Sequence, residues 1–283
     1  MSRPRVETSR GPFPDGALEI SRDDVVTSAF TDDRDGMSGQ ICLAVITASL
    51  EALQEDGALF LSSPERRTFA TYSVDRRRES YLRGRAAAKR ALCHGFGGEP
   101  SRWDIQAGVF DQPVPAYQGG FKAPVYVSIS HTQSAAVALA APGGWPAAID
   151  LETISDRNEA AIKGQMTASE REWCTHLSGI EEIEALTMLW SLKEVASKVL
   201  GGGLAIDFAT LSTEDFCLAP EGDRLTCRFS NFGHLRGEVV SDGRQVLALA
   251  CSANSTLIMP DFIRFGLRML SGLPDPSVRE GAP

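Results

Sequence analysis

The sequence predicts an α+β fold in two halves, each a few helices with an antiparallel sheet. Three observations predict it. Short apolar runs of strand character recur along the chain, longer segments of helical periodicity stand between them, and Gly143-Gly144 interrupts the pattern near the middle.

Residues 1–36 are rich in Pro, Gly, Arg, Asp and Ser without periodicity, the composition of a flexible extension. Ile41 to Ile46 reads as a buried strand. Ser63-Pro64-Glu65 opens a helix, with proline suited to the first turn. A second helix runs from about Arg78 to Cys93 and ends at Gly95. Strands follow near Ile105–Phe110, Val125–Ile129 and Ala135–Ala140, the last two separated by Ser130-His131-Thr132-Gln133. Past the glycines, Ala147 to Glu152 reads as a strand, and Thr167-Ala168-Ser169-Glu170 is a capping-box signature. Ile183 to Leu200 is a longer helix stopped by Gly201-Gly202-Gly203. Strands near Leu225–Ser230, Arg236–Val240 and Gln245–Cys251 complete the second half, and one short helix is expected after Asn254. The expected divisions are an extension (1–36), an N-terminal subdomain (37–144), a C-terminal subdomain (145–253) and a tail (254–283).

Composition narrows the function classes. At 43% hydrophobic and 23% charged residues the chain has the profile of a soluble globular protein. Its net charge of −9 argues against nucleic acid or an anionic membrane as partner. Charge is unevenly placed, however. Glu65 to Arg90 carries nine basic residues against three acidic ones, a local +6 that leaves −15 elsewhere. Such a patch suits a small polyanion better than a long one. The six cysteines show neither C-x-x-C pairing nor metal spacing with His, which favours reduced buried thiols. With no apolar leader in the first residues and no membrane-length run, a cytoplasmic protein is expected.

Four segments can carry chemistry. In Ala148-Ile149-Asp150-Leu151-Glu152, Asp150 and Glu152 project to one face of a strand while Ile149 and Leu151 pack inward. Two adjacent carboxylates repel unless a cation or proton lies between them, and oxygen ligands at this spacing suit magnesium. The alternative is a solvated strand edge. On the helix through Trp190, residues Thr187, Ser191, Glu194 and Lys198 form a polar stripe beside a broad apolar arc. Glu194 and Lys198, four apart, are helical neighbours, which by itself describes an ordinary ion pair. Lys193 falls at the margin of the apolar arc and needs an anionic partner or a route to solvent. Ser128-Ile129-Ser130-His131-Thr132 makes a plausible phosphate-binding corner, and Gly84-Arg85 lies in a helix of small residues with Lys89 and Arg90.

Together these segments resemble the phosphopantetheinyl transferases of the Sfp type, within the holo-acyl-carrier-protein synthase superfamily. That family shows, in order, a Gly-Arg helix, an N-[IV]-S-H-S-like turn, a G-[IV]-D-[IV]-E strand and a W-S-x-K-E-[AS]-x-x-K helix. Here they read Gly84-Arg85, S-I-S-H-T, A-I-D-L-E and W-S-L-K-E-V-A-S-K, with Ser-Pro-Glu-Arg upstream. The resemblance spans roughly Ile41 to Cys251. It implies a pseudo-dimer of two similar α/β subdomains with coenzyme A in the cleft between them. By motif, Asp150, Glu152 and Glu194 would hold Mg2+. Glu194 and Lys198 would be catalytic: Lys198 as the cation at the leaving phosphate, and Glu194 as proton acceptor, the choice between that role, metal ligand and both staying open. Arg66, Arg85, Ser130, His131, Lys193 and Lys198 would contact coenzyme A, the co-substrate. The implied reaction moves 4'-phosphopantetheine onto a serine of an apo acyl or peptidyl carrier protein and releases 3',5'-ADP. A monomer is expected, with neither nucleic acid nor membrane as partner.

Three positions depart from the pattern: Ala148 for the glycine before Ile-Asp, Asp111-Gln112-Pro113 for Gly-Lys-Pro, and Phe69 for a basic residue. A coenzyme A-binding protein of the same fold without turnover is the competing reading. A nucleic-acid binder using the Arg76–Arg90 patch is a third, opposed by the overall negative charge.

Overall fold

The computed structural model describes residues 25–32, 38–120, 124–177, 179–257 and 259–271. In the first half, β1 (Val25–Asp32) and β2 (Ser38–Ile46) lead into three helices, α1 (Leu50–Phe60), α2 (Ser63–Ala70) and α3 (Asp75–Phe96). Four strands follow: β3 (Trp103–Ala107), β4 (Pro113–Tyr117), β5 (Val125–His131) and β6 (Ala136–Pro142). The second half runs β7 (Ala147–Thr153), α4 (Glu159–Gly164), α5 (Ala168–His176) and α6 (Glu182–Leu200). It continues with β8 (Thr213–Leu218), β9 (Arg224–Phe229), β10 (Leu235–Ser241) and β11 (Gln245–Ser252), before β12 (Ser255–Leu257) and α7 (Met259–Ser271). The α+β class is as expected.

The two halves repeat one plan. Apart from β1, β12 and α7, each opens with a strand, passes through three helices, and returns with strands so that the first strand pairs the last and the last pairs the one before it. The orders β2-β6-β5 and β7-β11-β10 are equivalent, and every pairing is antiparallel. The longest helix of each half, α3 or α6, crosses the three equivalent strands.

Alternation along the strands divides the core into three layers. Odd residues Ile41, Leu43 and Val45 of β2 and Ala147, Ile149 and Leu151 of β7 share one cluster between the halves. Even residues face the helices: Cys42, Ala44 and Ile46 toward α3, and Ala148 toward α6. Phe262, Ile263 and Leu267 of α7 are buried in the central layer. Gly266 allows that approach, since a Cβ there would lie 2.5 Å from Leu43 Cδ2.

Several boundaries differ from the sequence reading. Val25–Asp32, placed in the flexible extension, forms β1, which pairs with β2 and with β12 of the tail. Residues 1–24 lie outside the described residues. The second helix begins at Asp75 and passes Gly95 to end against Gly97, whose φ of 76° suits glycine. Ser130 and His131 belong to β5 rather than to a turn. α1, β4, α4 and β8 were not anticipated.

Each half fixes its long helix by the same device. Glu170 is the third residue of a capping box, accepting from the Thr167 N–H at 2.7 Å, and its other oxygen accepts from the Thr213 N–H at 2.9 Å. Lys193 of α6 meets that carboxylate at 2.7 Å, with both side chains fully buried, and donates to the Gln165 and Phe208 carbonyls at 3.0 Å each. In the first half Glu65 caps α2 at Ser62, accepts from the Ile105 N–H at 3.1 Å and pairs with buried Lys89. Lys89 also donates to the Phe60 and Trp103 carbonyls at 2.7 Å and to that of Pro100 at 3.2 Å. Burial pulls both lysines below their ordinary pKa, opposed by the glutamates. Burial works to raise Glu170 but is outweighed by the bonds from Lys193, Thr167 and Thr213, which hold it below the usual carboxylate range.

Breaking such a pair from one side strands a buried charge. Glu170→Gln should therefore cost about 3–5 kcal/mol in urea denaturation, and Glu170→Gln with Lys193→Met should recover a large part of it. An unchanged single variant would mean that the pair does not hold α6.

Candidate active site

β7 carries Asp150 and Glu152 to the face covered by α6, because Ile149 and Leu151 point into the central layer. Asp150 is 2% exposed and fully engaged. Its Oδ1 accepts from Lys198 Nζ at 2.6 Å and from Ser130 Oγ at 2.8 Å; its Oδ2 accepts from Ser191 Oγ at 2.6 Å. Lys198 also donates to the Ile149 carbonyl at 3.2 Å. Thus one carboxylate joins β7, α6 and the N-terminal strand β5.

Glu152 and Glu194 complete an acidic cluster. Burial first, then the charge of Asp150, pushes Glu152 up to about 7, although Trp190 Nε1 donates to it at 3.2 Å. The same two causes raise Glu194, with Lys198 opposing. These carboxylates sense one another's charge, which is the electrostatic condition for taking up a cation.

The donor set fits Mg2+ in kind, being three oxygen ligands of unbalanced charge. It is not drawn together as a ligand cage: among the described residues no three acidic, His or Cys side chains stand close enough to grip an ion. Asp150 instead spends both oxygens on Lys198 and two serines. The expected triad is therefore assembled as a charge cluster only.

Beside this cluster opens a cleft of about 1400 Å³ between the halves. Arg76, Arg77 and Arg83 of α3 and His131 of β5 line one wall. Glu152, Arg157 and Arg244 line the other, and Leu270 and Ser271 of α7 close an end. Arg83 is tied to Glu79 and to the Ala48 and Gln133 carbonyls, so it shapes the wall more than it offers charge. Crowding by the surrounding protein, then Lys198 and Arg77, holds His131 below the ordinary histidine pKa, which leaves it neutral at pH 7 and able to accept or donate.

The structure brings Asp150, Glu152, Glu194, Lys198, Ser130 and His131 to this region but not three other expected contacts. Lys193 is sealed in the Glu170 cage, which overturns its placement beside a phosphate. Arg85 lies 3.3 Å from Glu65, donates to the Ile105 carbonyl and covers the Tyr81 ring. Arg66 bonds the Leu61 carbonyl and Ser63 Oγ. Neither lines the cleft. Ser130 is present, but its hydroxyl serves Asp150. Arg76 and Arg77 were visible in the sequence as part of the basic run. Arg157 and Arg244 carried no sequence signal, since only folding brings them beside Glu152.

The departures are absorbed locally. Ala148 is buried against the α6 core. Gln112 turns back into its own hairpin, where its side chain accepts from the Phe110 N–H at 2.8 Å. Phe69 stacks on Tyr81 and lies under Arg78. All six cysteines are free, and five are buried. Among the described residues no helix is long and apolar enough to cross a membrane.

Fold and site together define a two-lobed protein whose cleft sets Arg76, Arg77 and His131 of one half against Glu152, Arg157 and Arg244 of the other. Residues 146–250, β7 through most of β11, match the model of the 4'-phosphopantetheinyl transferase superfamily. A search of curated proteins gives no match. Among solved structures, a holo-(acyl-carrier-protein) synthase from Bacillus anthracis str. Ames in complex with CoA (3',5'-ADP) is 22% identical, with a TM-score of 0.32 over 37% of this chain and 94% of that one. The holo-[acyl-carrier-protein] synthase of Thermotoga maritima is 25% identical, with a TM-score of 0.31 over 46% of this chain and 74% of that one.

Lys198→Met should leave Asp150 buried without its cation. The expected loss is about 2–3 kcal/mol in urea denaturation, largely restored by Asp150→Asn in the same chain. Equal losses in the single and double variants would show that Asp150 does not depend on Lys198.

Proposed function

We propose that this protein transfers the 4'-phosphopantetheine group of coenzyme A to a serine of an apo acyl or peptidyl carrier protein. The observation that carries the reading is the cleft in which Arg76, Arg77 and His131 of one half face Glu152 of the other, with Asp150, Glu194 and Lys198 behind. The superfamily match over residues 146–250 supports it.

In this reading the N-terminal wall holds the nucleotide phosphates by charge, and the C-terminal half acts on the diphosphate. The serine oxygen forms a bond to the phosphorus that carries pantetheine, and the bond from that phosphorus to the bridging oxygen breaks. 3',5'-ADP leaves with that oxygen. Glu194, raised toward neutrality by burial and Asp150, takes the serine proton directly or through water. Lys198 balances charge on the leaving phosphate. Asp150, Glu152 and Glu194 would hold Mg2+, which when bound would neutralise the diphosphate and polarise its oxygens. Both walls come from one chain, so a monomer suffices for a complete cleft.

The test is the intact mass of an apo carrier incubated with the protein, coenzyme A and magnesium. One added phosphopantetheine is expected, lost with EDTA and reduced at least a hundredfold in rate by Glu194→Gln. Coenzyme A binding without any gain on several unrelated carriers would instead favour the binding protein without turnover. Arg76→Ala with Arg77→Ala should raise the KM for coenzyme A about tenfold and flatten its salt dependence. An unchanged KM would place the nucleotide elsewhere.

A further inference from the structure

Tyr126, Ser128 and Ser130 occupy alternate positions of β5, so their side chains leave one face of the strand. All three reach the other half. Ser130 donates to Asp150 at 2.8 Å, and Ser128 Oγ accepts from the Ile149 N–H at 3.1 Å and lies 3.4 Å from its carbonyl. Both act on the strand that bears Asp150. Tyr126 does something different: its hydroxyl donates to the main-chain carbonyl of Lys198 at 3.1 Å.

That carbonyl lies in the last turn of α6, where carbonyls lack a helical partner four residues on. Within the chain it is met by the Gly201 N–H at 3.1 Å, and three glycines follow. A helix end running into glycines frays readily unless something outside holds it. Fraying here would carry Lys198 Nζ away from Asp150, because Nζ is held at that strand by the 2.6 Å contact with Asp150 and a 3.2 Å bond to the Ile149 carbonyl, both at the end of a long side chain. Burial pushes the Tyr126 phenol up to about 12, so it remains a donor across the working range.

We infer that Tyr126 is a positioning residue: it clamps the last turn of α6 from the opposite half and so fixes Lys198 against the reacting phosphate. The catalytic part of this inference rests on the transfer reaction proposed above. The clamp rests on the hydrogen bond alone.

The experiment pairs two readouts on Tyr126→Phe, which keeps the ring and removes the hydroxyl. Hydrogen exchange is followed by mass spectrometry on the peptide covering residues 198–206, and carrier modification is followed at saturating and limiting coenzyme A. Exchange at the α6 end should be about fivefold faster. The kcat should fall about five- to tenfold, with KM for coenzyme A and for the carrier within about twofold of wild type. A purely structural tyrosine would lower the melting temperature and leave the kcat of the folded enzyme alone. Unchanged exchange overturns the clamp, and faster exchange with an unchanged kcat overturns the positioning role. If the wild-type protein modifies no carrier while exchange in the variant is faster, the transfer reading and the catalytic role fall together and the clamp stands.

Discussion

The site depends on one buried carboxylate. Asp150 is 2% exposed, so burying its carboxylate is costly unless hydrogen-bond donors meet it, and three donors from two other elements do. Those donors bind α6 and β5 to β7, so the requirement of one charge also sets the geometry between the halves. Lys198 supplies only one positive charge to a cluster of three acids. Burial first, and then the charge of Asp150, keeps the pKa values of Glu152 and Glu194 raised. The same excess of negative charge that makes the cluster costly gives it a use for a cation or a proton.

That keystone sits on a frame made twice. Each half caps a short helix with a glutamate, aims that glutamate at a backbone N–H beyond the long helix, and seals it with a buried lysine. The frame is common, but the chemistry is not. The helix-facing positions of β2 are Cys42, Ala44 and Ile46, whereas those of β7 are Ala148, Asp150 and Glu152. One and five residues past the cage lysine stand Arg90 and His94 in α3, but Glu194 and Lys198 in α6. One copy of the plan therefore provides Asp150, Glu152 and Glu194, and the other provides Arg76 and Arg77, while Arg157 and Arg244 add cations on the acid-bearing side.

What the sequence disclosed follows from local periodicity. Strand alternation put Asp150 and Glu152 on one face, and helical spacing put Ser191, Glu194 and Lys198 on one stripe; both statements involve neighbours along the chain. The partner of Lys193 lies at Glu170, in another helix, and nothing local distinguishes a lysine awaiting phosphate from one sealed in a cage. Glu170 itself was legible only as a helix cap, because its second oxygen turns to Thr213. β1 was missed although its main partner, β2, lies nearby in sequence; its second partner, Ser255–Leu257, lies far along the chain. Arg85 resembles a ligand contact in sequence, but Glu65 and Tyr81 reach it first.

The cationic wall has a cost that bears on what it is for. Arg76, Arg77 and Arg78 stand in the first turns of α3, at the positive end of the helix dipole, and Val74 at its N-cap offers no side-chain hydrogen bond. Asp75 is the acidic residue of that first turn. Stability alone would favour the opposite charges there. An anion in the cleft would reverse the balance, because the arginines and the helix end would then attract the same group. The helix start is thus arranged against its own dipole, and a phosphate-bearing ligand of the kind proposed above would offset that cost at Arg76 and Arg77, the two of these arginines that line the cleft.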